Sequence, residues 1–589
     1  MNRSTIARRY APLVALAAVQ LLIIATVPST AAKDATALSS TGRQTFDANG
    51  NPTNDPGAGG DQTQVTLPDG SIDPTGGTVP GGGPLSTSSG GGPLSTSPGG
   101  GPGTTRGPGG GTVPPGPGDT SHCVGGRQFD PAIYFYAPPC VAKFTGSNGG
   151  ATYQGVTDNS IKVIYYYGKG NDAVDTILKA QGAYVSIDQE RVYFAKLADF
   201  VNANFEMYGR KMTVEVVQGT CGTIPPQVDC LRAEMRGIAV DKKPFAFLWN
   251  TSLCSVCFQE LSKVKVINIG GWHFRDTFGA ANHPYHYDVQ ASGTLLSQAF
   301  GQFWCKQFTG KPAKYALDKN PLDKINGRTR RLGVISTNDP ENQNAVEIDL
   351  KAELAKCGAS YNQNKYFYAQ DISSAAQQVQ AGISAMKQNS AADEATSVAC
   401  FCDLVAAQFL YGGEDNNNYY PENFIPGTGF MDADAASQSY ETAAACPKGS
   451  PCPFDNAIGV SSLSPQEPKF ADAGQRVWNK AGGAGQGPFE SMSAYVDYFF
   501  MLGSMIQASG PTLNPDNAYA GMVRYGIRGD ATHAGHGILN GSHSWTVDER
   551  IVLWDKNKAS SYNAKPGTYV QVEGGRYRIG GFPGGEFPK

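Results

Sequence analysis

The chain has 589 residues, 40% of them apolar and 17% charged, with a net charge of −4. That balance excludes a disordered polyampholyte and a multi-span membrane protein, and the length predicts more than one lobe. A nearly neutral chain with no Lys/Arg-rich block is also no nucleic-acid binder, because neutralising phosphates needs a basic face.

Residues 1–32 read as a secretory address. Arg3, Arg8 and Arg9 give a positive start, 11–27 are almost wholly apolar, and small residues follow at 29–32. The apolar run sits at the lower limit for crossing a bilayer, so cleavage and an uncleaved anchor both stay open. All 12 cysteines lie at or after Cys123, so none follows the run as a lipidation site. Residues 33–120 form a Gly/Pro/Ser-rich linker. It has no aromatic residue between 47 and 128, and Gly-Gly-Gly-Pro-Leu-Ser-Thr-Ser starts at Gly81 and again at Gly90. Such a segment buries too little apolar area to offset its ordering entropy, so a disordered tether or a passive insert is expected. The predicted location is secreted, cell-surface or periplasmic, with an N-terminal tether if the signal is kept.

An even cysteine count behind a secretory signal points to disulfides rather than metal or redox chemistry. Cys123 and Cys140 bracket an aromatic segment, which predicts a stapled strap over 121–156. Cys446 and Cys452 bracket a tight loop. Cys221, Cys230, Cys254 and Cys257 form a second group, in which Cys221–Cys230 is favoured and Cys221–Cys254 is the alternative. Cys305, Cys357, Cys400 and Cys402 form a third.

Periodicity predicts strands over 161–167, 212–217, 245–249, 264–269, 331–336 and 396–401. Helices are expected over 191–205, 231–240, 295–308, 345–356 and 374–388. Alternation of this kind predicts an α/β fold with parallel sheets and helices on both faces.

Several weak motifs, in order, carry a resemblance. They are Gly155-Val-Thr-Asp-Asn-Ser-Ile-Lys-Val163, Leu197-Ala-Asp-Phe-Val-Asn-Ala203, Tyr208-Gly-Arg-Lys-Met-Thr-Val-Glu215 and Arg331-Leu-Gly-Val-Ile-Ser336, followed by the helical run from Tyr495 to Ala508. Over roughly 155–555 the chain resembles type I extracytoplasmic substrate-binding proteins. The nearest subgroup is the branched-chain amino-acid-binding (leucine/isoleucine/valine-binding) family of ABC transporters. The resemblance implies two Rossmann-like lobes with parallel sheets, joined by a three-crossover hinge. Lobe 1 is expected over 157–286, lobe 2 over 287–429, a return to lobe 1 over 430–555, and a C-terminal tail over 556–589 crossing to lobe 2. It implies a monomer that captures a small polar, amino-acid-like solute without a cofactor and passes it to the permease and ATPase of an importer. A sensing ectodomain and a secreted enzyme are the alternatives. No nucleophile elbow, P-loop or zinc-protease helix is present to support an enzyme.

The resemblance also places candidate ligand contacts. Asn250, Thr251 and Ser252 follow the third strand, where hydroxyls and N–H groups suit a carboxylate or cap the next helix. Gly271 and Trp272 follow the fourth strand, offering close backbone approach and a stacking ring. Asp339 and Asp403 sit in lobe-2 loops, where a carboxylate can pair a ligand ammonium or cap a helix. Phe430 and Met431 match the crossover back to lobe 1. The histidine groups His273/His283/His286 and His533/His536/His543 fit no metal-ligand spacing.

Overall fold

Short β-branched and aromatic runs alternate with amphipathic segments, and the chain resolves them into two sheets flanked by helices. The computed structural model describes residues 118–180, 184–250, 253–388, 392–429, 431–442 and 451–587. The expected signal and most of the expected linker, together with Thr251, Ser252, Phe430 and Cys446, lie outside the described residues.

Lobe 1 runs through β1 (Ser160–Lys169), α1 (Asp172–Ala180), α2 (Ile187–Asn204), β2 (Lys211–Gly222), α3 (Val228–Lys242), β3 (Ala246–Asn250), α4 (Ser255–Lys263), β4 (Ile267–Gly271), α5 (Asp276–Ala281) and β5 (His286–Tyr287). The sheet order is β2-β1-β3-β4-β5, all parallel. Helix α2 starts four residues before the expected position because Ser186 and Gln189 form a capping box there.

Lobe 2 begins with α6 (Gly293–Gln307) and continues through β6 (Leu332–Thr337) and α7 (Pro340–Asn344). A π turn (Ala345–Leu350) leads into α8 (Lys351–Ala355), then β7 (Lys365–Tyr368), α9 (Ala375–Lys387), β8 (Ser397–Phe401), α10 (Leu404–Asn416), β9 (Glu422–Pro426), α11 (Asp434–Thr442) and β10 (Ile458–Ser461). The chain then returns to lobe 1 with α12 (Ala473–Lys480), α13 (Ser493–Ser509) and α14 (Pro515–Tyr525). Helix α13 is buried along nearly its whole length, as its largely apolar composition requires. It closes the lobe-1 core with Phe499 and Phe500 against Phe194 and Phe200. Strands β11 (Glu549–Ala559) and β12 (Pro566–Tyr577) complete the second sheet, whose order is β12-β11-β10-β9-β8-β6-β7.

The expected return to lobe 1 over 430–555 is corrected here. Helix α11 packs on lobe 2, while β10 pairs with β9 and β11 in the second sheet. Four consecutive buried residues in β10 fill a central strand of that sheet, so the chain crosses back only after Ser461. Likewise the final passage to lobe 2 precedes β11 instead of following 555. The antiparallel β11–β12 pair extends a sheet that is otherwise parallel.

Three passages therefore join the lobes, at 288–292, 462–472 and 546–548. Two of them run side by side: Asp288 N–H donates to His543 O (2.9 Å) and Trp545 N–H to Asp288 O (2.8 Å). The strap at 118–156 is held by Cys123–Cys140 and inserts Phe129 and Tyr134 into the lobe-1 core. Further disulfides join Cys221–Cys230, Cys254–Cys257, Cys305–Cys357 and Cys400–Cys402. Cys452 is also disulfide-bonded.

Candidate functional site

In each sheet the strand order changes direction beside the first strand, between β1 and β3 in lobe 1 and between β6 and β8 in lobe 2. Loops leaving such neighbouring strands diverge to opposite faces and leave a crevice at the carboxyl ends. A cavity of about 440 Å³ lies there, walled by both lobes. From lobe 1 come the end of β1 (Tyr165 to Gly168), the end of β3 (Trp249, Asn250) and Tyr495 of α13. From lobe 2 come Ile335 of β6, Tyr366 and Tyr368 of β7, and Cys402 and Asp403 after β8. The volume suits a single small solute.

Of the residues expected to touch ligand, Asn250, Trp272 and Asp403 stand in this wall. Asn250 and Leu253 do so on either side of the undescribed pair Thr251 and Ser252. Trp272 is both a buried residue, 2% exposed, and a wall residue.

Asp403 caps α10: its Oδ1 accepts from the N–H groups of Val405 (2.8 Å) and Ala406 (2.9 Å). Its Oδ2 accepts from Tyr368 OH (2.8 Å) and Gln370 Nε2 (3.3 Å). The carboxylate thus caps α10 while standing in the cavity wall.

Asp339, Gly271 and Met431 are not in the wall. Asp339 caps α7 through Glu341 N–H (3.0 Å) and accepts from Ser255 Oγ of lobe 1 (3.3 Å). Burial pushes its carboxyl up to about 7. Gly270 and Gly271 do permit close approach, but to protein. A Cβ on Gly270 would stand 2.0 Å from Trp249 O, and one on Gly271 2.7 Å from the Phe274 ring. Met431 is wholly buried in lobe 2, where its carbonyl accepts from Ser437 Oγ and Tyr569 OH.

The lobes also touch beside the passages. Arg275 of lobe 1 forms a two-pronged ion pair with Asp349 of lobe 2 (2.8 and 3.0 Å). Asn342 Nδ2 donates to Trp272 O (3.0 Å), and His273 lies within 2.8 Å of Thr428 O. His283 Nδ1 and His543 Nε2 are 2.9 Å apart. Among the described residues no three His, Cys, Asp or Glu side chains converge as a metal site.

Sequence reasoning missed Glu190, the second wall carboxylate of lobe 1 beside Asp175. It is 4% exposed on α2, and its Oε1 accepts from Tyr495 OH (2.8 Å) and Tyr165 OH (3.4 Å). Its Oε2 is buried without a hydrogen bond, and burial pushes the carboxyl up to about 7 against the two phenols that lower it. The capping box at Ser186 and Gln189 was the available signal, since it puts Glu190 in the first turn rather than before the helix.

No family model and no curated protein matches the sequence. Among solved structures the chain is similar to a possible leucine/isoleucine/valine-binding protein from Rhodopirellula baltica, at 10% identity and a TM-score of 0.46, over 70% of this chain and 96% of that one. It is also similar to an ABC-transporter solute-binding protein from R. palustris in complex with 4-hydroxybenzoate, at 11% identity and a TM-score of 0.47, over 72% and 98% of the two chains. A branched-chain amino-acid ABC-transporter protein from Thermus thermophilus with bound valine is similar at 10% identity and a TM-score of 0.46, over 71% and 97%.

Proposed function

We propose that this chain is an extracytoplasmic solute-binding protein that encloses a small molecule between its two lobes without turning it over. The observation that carries the reading is the cavity of about 440 Å³ at the carboxyl ends of both sheets, with walls from both lobes and three chain passages beside it. Contacts to both lobes favour the closed form, so a ligand shifts the lobe equilibrium by its differential affinity for that form. The secretory address at 1–32 and the disulfides support an extracytoplasmic location. Delivery to the permease and ATPase of an importer is the output that this architecture suits. Asn250, Trp272 and Asp403 are proposed as wall contacts. Thr251 and Ser252 are proposed as hydroxyl donors between Asn250 and Leu253, and Phe430 as a further contact.

The test uses the small-molecule pool of the source cells, fractionated and added to the purified chain. A ligand-bearing fraction is expected to raise the melting temperature and to reduce the radius of gyration in solution scattering. Mass spectrometry then identifies what is bound. Substituting Thr251 or Ser252 by Ala is expected to weaken that ligand by about 1–3 kcal/mol, because a buried polar group would lose a partner. A melting shift with an unchanged radius would mean binding outside the cleft.

A further inference from the structure

The wall of the cleft has a one-sided chemistry. Its described residues include four carboxylates, Asp175 and Glu190 from lobe 1 and Asp371 and Asp403 from lobe 2, and no Lys, Arg or His. Aromatic rings share the remaining wall with aliphatic side chains. Tyr165, Tyr166, Trp249, Trp272 and Tyr495 come from lobe 1, faced by Tyr368 of lobe 2. Such faces carry negative quadrupole charge and attract a desolvated cation. At the rim the attraction is already used internally, since Lys179 Nζ stands 4.3 Å from the centroid of the wall residue Tyr184.

The four carboxylates are not equivalent. Asp371 and Asp403 are engaged as caps, Asp371 by Ser373 N–H (3.0 Å) and Asp403 by Val405 and Ala406. Asp175 stands in the first turn of α1 and is half-buried. Glu190 is different. Its Oε1 is fixed by two phenols from β1 and α13, while its Oε2 is buried with no hydrogen-bond partner in a side chain that belongs to the wall. A buried polar atom without a hydrogen bond is costly, and a ligand ammonium or N–H would satisfy it.

We infer that the cleft selects an organic cation, an amine with an aromatic or branched apolar body, whose charged nitrogen is held by Glu190 within the ring-lined wall. This rests on the cleft being the binding site, as proposed above. An anionic ligand would enter a wall whose described residues hold four carboxylates and no basic side chain. A neutral ligand would leave the ring faces and the carboxylate without a charge to stabilise. Burial pushes the Glu190 carboxyl up to about 7, with Tyr165 on β1 and Tyr495 on α13 facing it. Cation binding would drive its proton off.

The test compares three molecules with nearly the same body and different charge: phenethylamine, phenethyl alcohol and phenylpropionate. Tetramethylammonium is a fourth probe without an aromatic body. Calorimetry on the full chain is expected to show phenethylamine binding at least about tenfold tighter than the alcohol or the acid. Proton release, read from buffers of different ionisation enthalpy, should accompany it. Glu190→Gln should remove that preference and the proton release. Equal or tighter binding of the alcohol or the acid, with a reduced radius of gyration, overturns the cation assignment and leaves the two-lobe reading intact. Failure of both phenethylamine and tetramethylammonium to bind overturns the assignment as well. An unchanged radius with every probe and every metabolite fraction counts instead against the two-lobe reading. A Glu190→Gln protein that binds the amine as tightly as the parent overturns the role given to Glu190.

Discussion

Asp403 is a helix cap and a cavity-wall residue in one side chain. Its Oδ1 accepts from two of the orphan N–H groups at the start of α10, and its Oδ2 accepts from the buried Tyr368 hydroxyl. Asp403→Ala removes a cap worth about 1 kcal/mol and leaves the phenol without its acceptor, so a loss of about 1–2 kcal/mol is expected. Urea denaturation measures it, and a neutral result would mean that α10 starts elsewhere. Asp403→Asn retains an acceptor for the backbone and should recover most of the loss, while any drop in ligand affinity should persist in it.

At the level of elements, the strap over 118–156 is an integral layer of lobe 1. Phe129 meets Phe200 edge-on with ring centroids 5.2 Å apart, and Phe500 at 5.8 Å. Tyr134 donates to Asp497, a carboxyl that burial pushes up to about 6. Phe129→Ala should therefore cost about 3–5 kcal/mol, the range for emptying a packed aromatic site. The denaturation midpoint checks it. A change below about 1 kcal/mol would place the strap outside the core. Deletion of 45–110, which leaves the strap whole, is expected to leave the midpoint unchanged.

Across the whole molecule, buried carboxyls and buried imidazoles set the pH dependence of stability. Burial raises Glu190, Asp288 and Asp339 to about 7 and Glu414 to about 8. For these groups the folded chain holds more protons than the unfolded one, so stability falls as pH rises from the ordinary carboxyl range through those values. Burial lowers His286 and His536 to about 3 and His543 to about 4. For these the unfolded chain holds more protons below the ordinary imidazole value, so stability falls on acidification there. The two sets oppose each other below about pH 6, and above it only the carboxyl effect remains. With four such carboxyls against three imidazoles, the urea midpoint should change little between about pH 5 and 6 and decline from there to pH 8, and Glu414→Gln should flatten that decline. A midpoint still rising between pH 7 and 8 would refute the assignment of buried, proton-holding carboxyls.

What the sequence by itself determined is what depends on neighbours along the chain. The alternation of β1, α2, β2, α3 and β3 was legible because each buries one face at its own period. The pairs Cys123–Cys140 and Cys221–Cys230 were legible because short loops close easily. Asp339 and Asp403 were legible as cap-or-contact residues because both readings rest on local chemistry. Tertiary structure alone decided what depends on distant neighbours. Cys305–Cys357 joins residues 52 apart in sequence, and no local signal chooses that pair within its group. Strands β10 and β11 go to the second sheet because a buried four-residue run fits any sheet until its hydrogen-bonding neighbours exist. Glu190 reads along the chain as an ordinary polar position just before an expected helix. Only the packing of α2 against β1 and α13 takes its carboxylate out of water and sets it among tyrosines at the cavity wall.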